Sequence, residues 1–248
     1  MKKYFFVILI YIVAIYGQSK IKVNYSDIYL QNFEENKYLE SDDCLSKIIK
    51  YDMSTLWFNN NFTRYRIGFI GKNYQRIMIH FNSVIKNSDD PKTYFVYGKS
   101  KVKENICEFQ GTVTLLHARK FKQSFIDTLI MGLLIAKYEL YENPNQNHSG
   151  VFRGLLTTSW YHSQSTNIKY DGFEAAADGY SNNEFVGIWQ SYNTKNTKTC
   201  NWGDFRIPFS NDLDVGVGEF FPNQKYINNG WESYMNDSFR LEDEKKWW

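Results

Sequence analysis

The densest gathering of chemically capable side chains lies late in the chain. Cys200-Asn-Trp-Gly-Asp204-Phe-Arg206-Ile-Pro208 is followed by Asp212, Asp214 and Glu219, with glycines at 216 and 218. Carboxylates separated by glycines suit a calcium ion, because a hard cation wants several oxygen ligands on a backbone that can bend. Asp212-x-Asp214-x-Gly216 echoes the opening of an EF-hand loop, without its third oxygen ligand or its distal glutamate. Asp212, Asp214 and Glu219 are the metal-ligand candidates, and calcium is the one cofactor they suggest. Asp204 and Glu219 are the catalytic candidates, as an acid/base pair acting on a glycan, a task that needs two carboxylates at a set separation. The third reading is structural: Asp204 and Arg206 pair with neighbours while Asp212 and Asp214 cap turns.

A second group is aromatic. Trp160, Trp189, Trp202 and Tyr192 are candidates for contact with a sugar or an apolar ligand, with Tyr161 and Trp231 as further members. Aromatic rings on a concave sheet or its rim make a platform for such ligands. Core packing explains the same residues equally well. His80, His117, His148 and His162 are scattered without the spacing of a zinc site. His80 alternates away from Ile77, Ile79 and Phe81, which directs it to solvent. No nucleophile elbow, phosphate loop or dinucleotide fingerprint occurs.

These residues need strands to position them. Phe109-Gln-Gly111, Phe152-Arg-Gly154 and Phe185-Val-Gly187 each open an alternating run. Period-two alternation puts Phe152, Gly154, Leu156 and Trp160 on one face, and Phe185, Gly187 and Trp189 on another. A strand glycine there leaves room for an aromatic neighbour, allows a sharp bend, or marks a bulge. Arg153 and Gln190 fall on the outside. Strands are expected at 64–70 and 74–84, joined at Gly71-Lys-Asn73. Others are expected at 93–102 and 106–116, at 133–141 and 151–161, and at 168–173, 184–192 and 199–207. Asn87-Ser-Asp-Asp-Pro91 is a turn and Asn143–Ser149 a loop. Between Phe121 and Met131 the four-residue spacing of Phe121, Phe125 and Leu129 predicts a short helix. A strand running on to Phe121, followed by a loop, is the alternative.

The ends are less regular. Ile21–Val23 and Ile28–Leu30 read as short strands. Ser41-Asp-Asp43 reads as the cap of a helix whose stripe is Leu45, Ile48 and Ile49. Residues 209–248 read as an irregular extension, with a frayed helix from Leu241 and Trp247-Trp248 docked back or exposed. The expected fold is all-β with minor helix, an antiparallel meander forming a curved sheet or barrel over 62–208, after a mixed segment at 18–61. Tyr, Phe and Trp at 18% of the chain favour strands and tilt the class the same way.

Lys2 and Lys3 precede an apolar run from Tyr4 to Tyr16 that ends at Gly17, the form of a signal peptide covering 1–17. The run is too short for a helix that crosses a bilayer, which needs roughly 20 apolar residues. The expectation is export to the periplasm or beyond, with no transmembrane span in the mature chain. Removing the two lysines takes the formal charge from +2 to zero, which argues against nucleic acid as a partner. Lys99, Lys101 and Lys103 form the one notable basic patch. Cys44, Cys107 and Cys200 suggest one disulfide and one free thiol in an exported chain, with Cys107 also readable as a small buried hydrophobe.

Phe185-Val-Gly187-Ile-Trp189 resembles the Phe-x-Gly-x-Trp strand of the calycin barrels, the lipocalins and fatty-acid-binding proteins. The leader and the Phe-x-Gly strands also resemble secreted β-rich proteins of Bacteroidota type, a likeness that carries no activity and no functional residues. Together the residues predict a non-enzymatic protein that binds a small apolar or carbohydrate ligand or a surface partner. The rivals are a secreted glycan hydrolase using carboxylates in 204–219, and an envelope interaction protein engaging a partner through Trp247-Trp248.

Overall fold

The computed structural model describes residues 25–58, 62, 66–163, 167–236 and 247–248. The expected leader at 1–17, the strand at 21–23 and residues 241–246 of the expected C-terminal helix lie outside them. The chain forms an antiparallel β-barrel of eight strands, with two further short strands attached.

The barrel strands are β2 (Arg66–Ile70), β3 (Gln75–Lys86), β4 (Thr93–Val102), β5 (Asn105–Phe121), β6 (Ile130–Glu142), β7 (Gly150–His162), β9 (Asn182–Ser191) and β10 (Thr197–Asp204). Each pairs with the next around the wall, and β10 closes the barrel on β2 through Asp204 opposite Arg66 and Cys200 opposite Ile70. β1 (Leu39–Asp43) extends the wall beside the far end of β5, and β8 (Lys169–Tyr170) adds to β7. The meander therefore has the order expected from the sequence.

Phe109, Phe152 and Phe185 all point inward and are buried. They meet Phe81, Tyr138 and Trp202 in a connected set of rings that fills the waist. Phe185 stacks on Trp202 at 4.7 Å between centroids, and Tyr138 meets both edge-on at 5.2–5.3 Å. The glycines of the repeated phrase explain how these rings fit. Gly154 faces Gly187 across the β7–β9 pair. A Cβ on Gly154 would sit 2.1 Å from the Val186 carbonyl, and one on Gly187 would sit 2.6 Å from Tyr138 Oη. The glycine pair is the seat of the Tyr138 phenol.

Three expectations are corrected, at 28–30, 121–131 and 168–173, while the helix expected after Ser41–Asp43 is present. Residues 28–30 belong to a helix, α1 (Tyr25–Glu34), rather than a strand. Tyr29 and Phe33, four residues apart, lie on its buried side, Tyr29 against Thr157 of β7 and Glu184 of β9 and Phe33 against Leu39 and Ile135. Ser41–Asp43 end β1, and the helix after them, α2 (Leu45–Ile48), is a single turn started by Asp43 Oδ1 accepting from Leu45 N at 2.8 Å. No helix forms between Phe121 and Met131, because β5 runs on to Phe121 and Phe125 projects into solvent at 78% exposure. A β-bulge in β5 between Leu115 and His117, against Ala136 and Ile135, breaks the alternation there. The expected strand at 168–173 shrinks to the two residues of β8.

The segment before the barrel enters it. Met53, Leu56 and Trp57 are fully buried in the same core as the waist aromatics. Lys86 Nζ donates to the carbonyls of Ile49 and Tyr51, and Met53 N donates to Tyr94 Oη at 3.0 Å. These residues plug one mouth of the barrel, so residues 44–57 share one core with the barrel strands. Residues 207–234 build a separate small cluster, in which Leu213, Phe220 and Trp231 cover Ile67 and Phe69 on the outer wall of β2.

α1 and β1 are tied down by one side chain. Arg119 donates to the carbonyls of Phe33 (2.9 Å), Glu34 (3.0 Å) and Glu40 (2.5 Å). A cation at a helix C-terminus satisfies carbonyls that have no partner within the helix and suits its dipole. Replacing Arg119 with Met is expected to remove about 2 kcal/mol of local stability. Hydrogen exchange should accelerate across residues 25–43 while the amides of β6 and β7 stay protected. Uniform loss of protection would show that this strap is part of the global fold.

Candidate functional site

Asp204, Asp212 and Asp214 each pair with a different cation. Asp204 is fully buried, with Arg66 Nε 3.3 Å from Oδ1 and Asn183 Nδ2 donating to Oδ2 at 2.7 Å. Asn183 also donates to the Leu56 carbonyl at 2.8 Å and accepts from Thr158 Oγ1 at 2.8 Å. Thr158 in turn accepts from Trp57 Nε1 at 2.9 Å, and Arg66 Nη2 donates to the Trp57 carbonyl at 3.2 Å. This closed network fastens the plug to the barrel. Burial raises the Asp204 pKa above the ordinary carboxylate range, against the pull of Arg66. Asp204, one of the two catalytic candidates, is thus committed to Arg66 and Asn183 inside the barrel.

The glycine-rich loop does hold a cation, but the cation is Arg206. Asp214 Oδ2 accepts from Arg206 Nε at 3.0 Å and Nη2 at 2.7 Å, while the carbonyls of Gly216 and Gly218 accept from Nη2 and Nη1 at 2.9 and 3.0 Å. A planar guanidinium with five donors takes the oxygens that a calcium site would need. Asp212 lies on the exposed side, paired with Lys225 and Tyr226. Among the described residues no group of three His, Cys, Asp or Glu side chains is placed to hold a metal. Of the calcium candidates, Asp212 and Asp214 are thus engaged by Lys225 and Arg206. The structural reading of Arg206 and Asp214 accounts for the loop.

The aromatic candidates divide. Trp160 and Trp202 are buried among the core rings, where they pack rather than meet a ligand. Trp189 belongs to the same core, 8% exposed on the inward face of β9, and Tyr192 is half-buried just past the end of that strand, where β6 ends and β7 begins. Trp189 is anchored from below by Glu142, whose Oε2 accepts from Trp189 Nε1 and from Gly150 N, both at 2.8 Å. Ser100 Oγ donates to the other oxygen of Glu142. The indole lies flat over Gly150, where a Cβ would sit 2.6 Å from Trp189 Cε2. Glu142 is only 4% exposed and has no cation beside it, so burial pushes its pKa up.

The exposed groups lie on the outer face of the same strands. Tyr141 is 42% exposed, with the Arg153 guanidinium 5.7 Å from its ring centroid. Arg153 Nε is 2.7 Å from Glu139 Oε1, setting a donor and an acceptor side by side. Tyr192 is half-buried and donates its backbone N–H to the Ser149 carbonyl at 3.1 Å. Burial raises its phenol pKa, and the charge of Glu142 adds to the rise. Lys198 Nζ lies 5.5 Å from the Trp189 ring centroid. Glu142 is the residue that sequence reasoning missed. Its signal was present, since alternation puts it on the inward face with Tyr138 and Leu140.

The remaining candidates are quickly placed. Cys44, Cys107 and Cys200 are all free and buried, which corrects the expected disulfide. Burial next to Glu142 lifts the Cys107 thiol to about 11, so it stays protonated. His80 lies on the outer wall as alternation predicts, yet Trp248 stacks on it at 3.9 Å and 17°. The C-terminal tryptophan thus docks back on the barrel.

No protein family, no curated protein and no solved structure matches the chain.

Proposed function

We propose that this is an exported, non-enzymatic protein that binds a carbohydrate at the outer rim formed by Tyr141, Arg153 and Tyr192. The observation that carries the reading is the convergence there of aromatic faces with a paired guanidinium and carboxylate. Sugar rings offer apolar faces that stack on aromatics, and neighbouring hydroxyls that match a donor set beside an acceptor. Arg153 is held by Glu139 and lies against the Tyr141 ring, so the platform is organised before the ligand arrives. The apolar waist is occupied by the protein's own rings, which directs the ligand to the rim rather than to the interior. The calycin-like phrase supports the same placement, since Phe185 and Gly187 set the strand that leads into Tyr192. Export rests on the leader-like segment at 1–17.

The test is isothermal titration against a panel of neutral and acidic oligosaccharides, with Tyr141→Ala and Tyr192→Ala beside the parent protein. Each substitution should weaken binding about tenfold, equivalent to roughly 1.4 kcal/mol. The melting temperature should hold, because both side chains are partly exposed. If no oligosaccharide binds, or if the double variant binds as well as the parent, the rim is not a sugar site.

A further inference from the structure

A second surface lies on the outer wall, on strands away from the rim's aromatics. Ile85 on β3 is 62% exposed, and its cross-strand partner on β4, Phe95, is 51% exposed. Tyr97 follows on the same face of β4 at 40% exposure, opposite Ser83. The next outward pair along these two strands is His80 with Lys99, and His80 carries the stacked Trp248 with Trp247 edge-on beside it at 5.7 Å. Burial and the nearby Arg66 lower the His80 pKa to about 4, so the ring under Trp248 is neutral. Lys101 and Lys103 continue β4 past Lys99 into its turn. Lys99 faces Glu108 at 3.6 Å, whereas Lys101 and Lys103 make no ion pair among the described residues.

We propose that this face, made by Ile85, Phe95, Tyr97 and the terminal tryptophans, is a peripheral docking surface for an anionic lipid membrane. Three physical arguments converge on a lipid surface. The outer wall of a closed barrel is convex, and small-molecule sites are concave. A fluid interface can close around a projecting apolar face. Trp and Tyr favour the boundary between headgroups and hydrocarbon, and lysines beside them are drawn to anionic headgroups at about 1 kcal/mol each. The barrel itself does not enter the bilayer. Its interior is apolar, and its outer wall carries Glu108, Lys137, Glu139 and Arg153, the reverse of a barrel that spans lipid. No helix among the described residues is long and apolar enough to cross a membrane.

The experiment is co-sedimentation of the full protein with vesicles of phosphatidylcholine alone, and with phosphatidylglycerol added at about one lipid in three. Binding should rise about tenfold with the anionic lipid and fall back in 0.5 M salt, beyond the reach of screened charge at roughly 4–5 Å. Ile85→Asp with Phe95→Asp, and separately removal of Trp247 and Trp248, should each lower it at least about tenfold while circular dichroism stays unchanged. Binding that survives both changes belongs to the apolar run at 4–16 and overturns the proposal. So does an absence of binding to either vesicle, or a dimer in sedimentation velocity that the aspartate variant dissolves, which would identify a second copy as the occupant. Oligosaccharide binding at the rim should be unaffected by any of these changes, so the two sites fail independently.

Discussion

Replacing Arg66 with Met should cost about 3–5 kcal/mol of folding stability at neutral pH, measured by urea denaturation. The size follows from what is left behind. Asp204 would remain fully buried with neutral donors such as Asn183, since Arg66 Nε supplies the only cation within ion-pair distance among the described residues. Removing both partners, as Arg66→Met with Asp204→Leu, should restore a large part of the loss, because no stranded charge remains. The pH dependence has a definite sign. Burial already raises Asp204 in the folded protein, and loss of Arg66 raises it further. A carboxyl whose folded pKa exceeds its unfolded value binds more protons in the folded state, so its contribution grows as pH falls and is lost as pH rises through the folded pKa. The single variant should therefore regain stability between neutral pH and roughly pH 4. A variant that weakens steadily over that range would show that Asp204 is not the stranded group.

Trp57→Ala is expected to be comparably severe, at about 3–5 kcal/mol. Trp57 is fully buried, meets Tyr94 edge-on at 5.2 Å and donates its indole N–H to Thr158 at 2.9 Å. Its removal leaves a cavity at the plugged mouth and frees Thr158 from one partner. Trp57→Phe separates the two effects. It keeps most of the apolar contact and should cost about 1–2 kcal/mol, the share of the hydrogen bond and a smaller void. A milder result for Trp57→Ala, with unchanged exchange in β6 and β7, would mean that the plug folds and unfolds apart from the barrel.

The strands were legible because one face of each is buried. Alternation alone placed Phe109, Phe152 and Phe185 inside, Arg153 and Gln190 outside, and the Gly71–Asn73 turn where β2 meets β3. What was not legible depends on contacts distant in sequence. Tyr29 is helical because its phenol reaches Thr157 and Glu184 on the wall. The spacing of Phe121, Phe125 and Leu129 matches a helix, yet no apolar surface receives Phe125. Trp57 and Met53 sit in a polar, irregular stretch, and only the barrel mouth gives them an interior. At the loop of 214–218 the composition was right for a cation and silent on which one, since an arginine eight residues away competes with any metal. Glu142 was readable as inward-facing, but its three donors come from β4, β7 and β9, and no local pattern brings those together.

The seam between β2 and β10 has a kinetic meaning. The two strands that complete the barrel stand at opposite ends of the meander, with Arg66 directly opposite Asp204 in the register. Every other neighbouring pair in the wall follows its partner more closely along the chain, so this pairing carries the largest loop-closure entropy and should form last. Until β10 arrives, β2 presents a short apolar edge, Ile67 to Ile70, on which another chain could add. A protein delivered N-terminus first would hold that edge open for as long as β10 is still to come. The buried charge pair then acts as a register check on the final step, because a slip of one residue would leave Asp204 and Arg66 on opposite sides of the wall.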